Sequence, residues 1–260
     1  MDLKLKGKTA IITGGSKGIG FATAMYLSKE GANVAIFSRN EEDLESAATE
    51  IRETTGREIF YQSKDVSKRD DCMSLVEQTV NHFGGVNILV NNAGTSRAFP
   101  FEKINFEAWQ EDLDLKLFAA INCSNAVLPY MKNANGGSIV NVTASMAKTP
   151  PASSMPTSVS RAAGMAFTKA LSKDLGQYNI RVNTVCIGLI RSAQIERQWK
   201  NSFPDISWEE YSGRREHNIP LGRIGEAKEA AQVIAFLSSD AGSYVTGTSI
   251  NIDGGKAAAL

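Results

Sequence analysis

The sequence predicts an α/β fold built on one doubly wound parallel sheet, and three observations carry that expectation. Short apolar runs recur along the chain without polar alternation, longer stretches of helical period separate them, and a glycine-rich turn directly follows the first run. Strands covered on both faces lose the alternation of half-exposed strands, and intervening helices make successive strands parallel. The expected strands are Thr9–Thr13, Asn33–Phe37, Glu58–Tyr61, Asn87–Asn91, Ser138–Thr143, Ile180–Cys186 and Ser249–Ile252.

The first strand runs into Thr13-Gly14-Gly15-Ser16-Lys17-Gly18-Ile19-Gly20, which opens a helix. Glycine lets a diphosphate approach the backbone, and free N–H groups at a helix start hold phosphates, so this context reads as the dinucleotide turn of a Rossmann-type domain. A purely structural turn is the competing use. The second helix spans Glu41 to Glu53: its acidic first turn suits the positive end of the helix dipole, and Gly56 supplies a stop. A long helix begins near Phe106, with Pro129 and the Asn133 to Gly137 cluster marking its end. Another starts near Thr157 and closes at Gly176, and a further one starts near Glu226. Between Ser192 and Asn218, Trp199, Phe203, Trp208 and Tyr211 stand among many charges, beyond the sheet edge where such folds bind ligands. This insertion, at about residues 190–218, reads as a lid. It reads equally as an amphipathic helical pair packing its aromatics inward, or as a subunit contact.

A chain of 260 residues without linker, repeat or low-complexity run is expected to form one domain over 1–260. Lys plus Arg (28) balances Asp plus Glu (28), which removes the basic field that nucleic-acid binding needs and leaves a small molecule as the expected partner. Cys72, Cys123 and Cys186 are far apart and read as reduced structural thiols. His82 and His217 have no metal-ligand spacing, so no metal is expected. The first eight residues run straight into a strand, and no apolar stretch approaches the ~18 residues of a membrane span, so a cytoplasmic, membrane-free protein is expected.

At this point the chain resembles the short-chain dehydrogenase/reductase family over nearly its whole length. The motif T-G-x-x-x-G-x-G is met by Thr13 to Gly20, the acidic residue near the adenine by Asp65-Val66, and N-N-A-G by Asn91-Asn92-Ala93-Gly94. Ile180-Arg181-Val182-Asn183 follows, and Tyr244-Val245-Thr246-Gly247 leads to Asp253-Gly254-Gly255. The resemblance implies that Gly14, Ser16, Gly18, Ile19, Gly20, Asp65, Val66, Asn91, Ala93, Gly94, Gly188 and Ile190 line a nicotinamide dinucleotide. It also implies a homotetramer or dimer built on the long helices and the last strand.

Charge argues which dinucleotide. An acidic residue after the second strand binds the ribose 2′-OH of NAD, whereas a cation accommodates the 2′-phosphate of NADP. Ser38-Arg39-Asn40 stands there, and Lys17 in the glycine turn is a second cation. Arg39 can fork onto phosphate oxygens while Lys17 acts as a point charge, which favours NADP(H); solvated surface charges are the alternative.

The catalytic positions depart from the family, whose members resembling this chain use an Asn, a Ser, and a Tyr and Lys four residues apart. Trp109 to Leu117 looks like W-x-x-x-L-x-x-N-L, which puts Lys116 at the Asn position. Ser138 to Ala144 looks like the strand that delivers the Ser, with Ala144 in its place and Ser145 beside it. Thr157-Ser158-Val159-Ser160-Arg161-Ala162-Ala163 looks like Y-S-A-S-K-A-A, so Thr157 replaces Tyr and Arg161 replaces Lys. Thirteen residues separate Ala144 from Thr157, as in the family, which argues against a slip in alignment. A Thr hydroxyl does not titrate near neutral pH, Ala144 offers no hydrogen bond, and a guanidinium keeps its proton, although Arg161 can still grip the nicotinamide ribose of the cofactor.

Lys116 could replace the missing acid if burial and Arg161 lower its pKa, or it could simply pair with Asp112 at helical spacing. Tyr211 or His217 could supply a proton from a closing lid, and Ser145 and Thr157 could donate hydrogen bonds without titrating. Three function classes therefore stand. The first is an NADP(H)-dependent oxidoreductase acting on a carbonyl or alcohol with a rebuilt proton donor. The second is a catalytically inactive NADP(H)-binding or regulatory protein. The third, a lyase or dehalogenase-like enzyme on the same scaffold, is disfavoured because Gly14, Gly18, Gly20 and Arg39 persist.

Overall fold

The computed structural model describes residues 2–260. Its strands are β1 (Thr9–Thr13), β2 (Asn33–Ser38), β3 (Ile59–Ser63), β4 (Ile88–Asn91), β5 (Ala98–Phe99), β6 (Gly137–Ala144), β7 (Met155–Pro156), β8 (Ile180–Ile187) and β9 (Ser249–Ile252). Seven of them form one parallel sheet in the order β3-β2-β1-β4-β6-β8-β9. All seven expected strands are present, and their ends move by no more than a residue or two. The helices are α1 (Gly18–Lys29), α2 (Glu41–Thr55), α3 (Arg69–Phe83), α4 (Phe106–Leu113), α5 (Ala119–Asn133), α6 (Thr157–Leu175), α7 (Ala193–Ser202), α8 (Trp208–Ser212) and α9 (Ala227–Ser238). This is the expected single Rossmann-type arrangement, and no helix among the described residues is long and apolar enough to cross a membrane.

Both faces of the sheet are covered, which explains the unalternated strands. Ala10 and Ile12 of β1 point into a core completed by Leu27 of α1, Leu44 and Ile51 of α2 and Ile234 of α9. Ile11 between them points the other way, toward Leu75 of α3, Val127 of α5 and Leu175 of α6. From β1 the chain winds outward through β2 to β3, then returns to the opposite side of β1 with β4. That reversal leaves a crevice outside the carboxyl ends of β1 and β4, where ligands of open α/β sheets bind.

A buried polar chain ties the two halves of the sheet together. Asn91 Nδ2 donates to Asn141 Oδ1 (2.8 Å), Asn141 Nδ2 donates to Thr168 Oγ1 (2.8 Å), and Thr184 Oγ1 donates to Thr168 Oγ1 (2.7 Å). These bonds link β4, β6, α6 and β8, and removing one member strands its partners. Asn141→Ala is accordingly expected to cost about 1–3 kcal/mol, read as a lower unfolding midpoint in thermal denaturation.

Three features differ from the sequence expectation. Pro129 lies inside α5 instead of ending it, because Val127 and Met131 on either side are fully buried and packing holds the helix to Asn133. The helix that starts at Phe106 widens into a π turn over Asp114–Phe118, closed by a bond from Ala119 N to Asp114 O. The third is the antiparallel ribbon of β5 and β7, whose two-residue strands carry no periodicity to read.

The insertion forms α7 and α8 with a small aromatic core of its own. Trp208 and Tyr211 are buried against Trp199, Phe203, Ile195 and Ile224. Trp199 Nε1 donates to Ile206 O (3.0 Å), Arg191 stacks over Trp208, and a ring nitrogen of His217 meets Tyr211 O at 2.8 Å. Tyr211 and His217 are thus engaged within the insertion.

Candidate active site

The cofactor-side crevice, of about 340 Å³, opens at the ends of β1, β2 and β4. Its floor is the glycine turn. The first helical bond of α1 closes from Phe21 N to Lys17 O (3.2 Å), so the N–H groups of Gly18, Ile19 and Gly20 have no partner within the helix. Gly18 has φ +56°, and a Cβ there would meet open space, whereas a Cβ on Gly20 would lie 2.1 Å from Gly14 O. The second glycine permits close packing of turn on helix, and the open space over the first is room for a diphosphate. Asn92 fixes the turn from the next strand: its Nδ2 donates to Thr13 O (3.0 Å) and Gly14 O (3.1 Å). Thr13 Oγ1 in return accepts from Asn92 N (3.0 Å) and Ala93 N (3.1 Å).

Ser16, Ser38, Arg39, Asn40, Asp65, Val66, Ala93 and Gly94 all line this crevice, as the sequence predicts. Asn40 also caps α2, accepting from Asp43 N at 2.7 Å. Lys17 lines the crevice but is ion-paired with Asp43 (2.6 Å), whereas Arg39 makes no ion pair among the described residues. Lys64 is a lining cation that sequence reasoning missed, although it directly precedes Asp65. Burial raises the Asp65 carboxyl, yet the hydroxyl (2.8 Å) and N–H (3.1 Å) of Ser67, with Arg39 nearby, hold it below its ordinary value.

Three other residues assigned to the cofactor from sequence also have partners within the fold. The Asn91 amide is turned into the sheet toward Asn141. Gly188 packs the end of β8 on β9, since a Cβ there would lie 2.4 Å from Asp253 Cβ. Ile190 is buried, bridges to Gly225, and lines a separate cavity with Leu221 and Asp253.

Beyond the glycine turn, three of the four residues expected from sequence to be catalytic, Lys116, Thr157 and Arg161, lie close together. Lys116 stands in the π turn with 4% of its side chain exposed, and its Nζ donates to Asp112 Oδ1 and to Thr157 Oγ1 (2.7 Å). Asp112, with 1% of its side chain exposed, accepts at Oδ2 from Ser160 Oγ (2.6 Å). The expected pair between Lys116 and Asp112 is therefore real, and it is buried. Arg161 donates from one terminal nitrogen to Val142 O (3.2 Å) and turns the other toward Gly94. Burial lowers the Lys116 ammonium to about 8, opposed by the bond to Asp112 and reinforced by Arg161 and Arg97. Ala144 ends β6 beside Ile187, and Ser145 is buried one residue further on, outside the groups that meet Lys116.

Residues 8–202 match the family described as short chain dehydrogenase. The chain is 35% identical to the 3-oxoacyl-[acyl-carrier-protein] reductase of Chlamydia muridarum, over 99% of this chain and 100% of that one. It superposes on the L-sorbose reductase of Gluconobacter frateurii complexed with NADPH and L-sorbose with a TM-score of 0.95 at 32% identity, covering 100% of both chains. It likewise superposes on an NADPH-bound short-chain oxidoreductase of Pseudomonas aeruginosa described as containing an atypical catalytic center, with a TM-score of 0.91 at 34% identity over 97% of this chain and 98% of that one.

Proposed function

Because this chain belongs to the short-chain dehydrogenase family, we propose that it is an NADPH-dependent reductase of carbonyl compounds in which Lys116 and Thr157 together deliver the proton. The observation that carries this reading is the contact of a buried lysine with the hydroxyl at the position where the family resemblance places a tyrosine. Bound NADPH supplies the hydride. The N–H groups of Gly18, Ile19 and Gly20 hold the diphosphate, and Arg39, with Lys64 and Lys17, takes the 2′-phosphate. Arg161 grips the nicotinamide ribose.

Thr157 Oγ1 accepts from Lys116 Nζ, so its own proton is not spent in that bond; the reading requires this hydroxyl, which is fully buried, to be uncovered to a substrate carbonyl oxygen. As the oxygen gains negative charge, Thr157 releases its proton to it and takes one from Nζ. The hydroxyl need not ionise, because Lys116 is the titrating group. Asp112 holds Nζ in place, and Ser160 holds Asp112. Asp112 and Ser160 are positioning residues.

Two measurements test this reading. NADPH binding followed by fluorescence, with a panel of carbonyl, alcohol and enoyl compounds, should show tight binding and oxidation of NADPH by at least one carbonyl class. Binding without hydride transfer on any compound would reject the enzyme. The pH profile of kcat/KM tests the donor. Reduction requires protonated Lys116, so its rate is level below about pH 8 and falls above it; the reverse oxidation requires the neutral amine and rises through the same pH. A reduction rate that does not change between pH 7 and pH 9.5 would exclude Lys116 as the donor.

A further inference from the structure

The charges at this site do not balance. Asp112 is the buried carboxylate, and both of its oxygens are occupied, one by Lys116 and the other by Ser160. Two cations face it across the crevice floor. A Cβ on Gly94 would lie 3.6 Å from Lys116 Cγ and 3.7 Å from an Arg161 terminal nitrogen, so both side chains converge there. Arg161 meets only the neutral carbonyl of Val142 and forms no ion pair among the described residues.

A third cation stands close by. Ala98, next to Arg97, pairs with Pro156, the residue before Thr157, and Arg97 itself is ion-paired with Glu111, the residue before Asp112. Arg97 is tied only to Glu111, whose side chain is 63% exposed. An exposed pair of this kind is worth little and exchanges readily.

We propose that the substrate is an anion, a small oxo acid whose carboxylate is taken by Arg97 while its carbonyl oxygen faces Thr157 and Lys116. This rests on the carbonyl-reductase reading above and adds the substrate's charge to it. A charge withdrawn from water without a counter-charge is costly, and a substrate that brings a carboxylate lowers that cost where a neutral ketone does not. The same surplus draws anions into the crevice. Arg97 in particular can trade Glu111 for a carboxylate of matching planar geometry.

The test compares 2-oxobutanoate, 3-oxobutanoate and 4-oxopentanoate with their methyl esters in NADPH oxidation. At least one acid should exceed its ester by about tenfold in kcat/KM, chiefly through KM, with the preference shrinking as salt rises. Arg97→Gln should reduce that ratio to about unity. Esters reduced as well as acids, or a preference that survives Arg97→Gln, would overturn the proposal. If no compound is reduced, the same acids and esters are titrated into the NADPH complex by quenching of nicotinamide fluorescence. Acid-selective binding lost in Arg97→Gln upholds the charge preference even though the reductase reading has failed, and equal binding of acid and ester overturns it.

Discussion

Replacing Lys116 with Met is expected to lower kcat for carbonyl reduction by about 10²–10⁴, the usual contribution of a positioned acid, while NADPH still binds. The thioether occupies similar space but holds no proton, so Thr157 would have nothing from which to recover its own. Removing the ammonium also leaves Asp112 buried with Ser160 alone, and an unpaired buried carboxylate costs about 3–5 kcal/mol. Asp112→Asn combined with Lys116→Met removes that penalty, so the double variant should recover stability in thermal denaturation without recovering turnover. That split separates a proton donor from a structural lysine. If Lys116→Met keeps most of its turnover in the folded protein, the donor lies elsewhere. Asp112→Asn alone gives a different signature. The bond to Asp112 opposes the lowering of the Lys116 pKa, so its loss should move the midpoint of the reduction profile below about 8.

Residue types and their order disclosed the sheet and the glycine turn, because each is a local pattern. Unalternated strands such as Thr9–Thr13 follow from burial on both faces, and the stop of α2 at Gly56 follows from backbone chemistry. What escaped the sequence depends on packing between distant segments. Asp112 and Lys116, four apart, look like any surface ion pair, and only the arrival of Thr157 and Ser160 on α6 buries them. The π turn is invisible for a related reason, since helical spacing is the same on paper whether the turn is widened or not. Asn91 is a further case: its motif pointed to the cofactor, and only the fold shows that its side-chain amide is bonded to Asn141 across the sheet. The aromatic residues of 190–218 read equally as a lid or as a helical pair packing its aromatics inward, and only the fold shows Trp208 and Tyr211 as the buried centre of the insertion itself.

Replacing Arg39 with Asp should reverse the choice of dinucleotide. A charge-assisted bond from a guanidinium to phosphate is worth about 1.5–3 kcal/mol, so its loss alone weakens NADPH by roughly ten- to a hundredfold. The new carboxylate adds repulsion against the 2′-phosphate and accepts from the free 2′-OH of NADH, so the ratio of the two dissociation constants should change by more than the loss alone. The crevice contains three cations, and their partners rank them. Lys17 is held by Asp43 at 2.6 Å and must share its charge, whereas Arg39 and Lys64 make no ion pair among the described residues. Arg39 also presents the fork that matches phosphate, which a lysine ammonium does not. Lys17→Ala should therefore cost less NADPH affinity than Arg39→Ala, and both losses should shrink as salt screens the exposed charges. Titrating each variant with NADPH and NADH by nicotinamide fluorescence reads these effects without any turnover. An Arg39→Asp protein that still prefers NADPH would move the 2′-phosphate contact to Lys64 and Lys17.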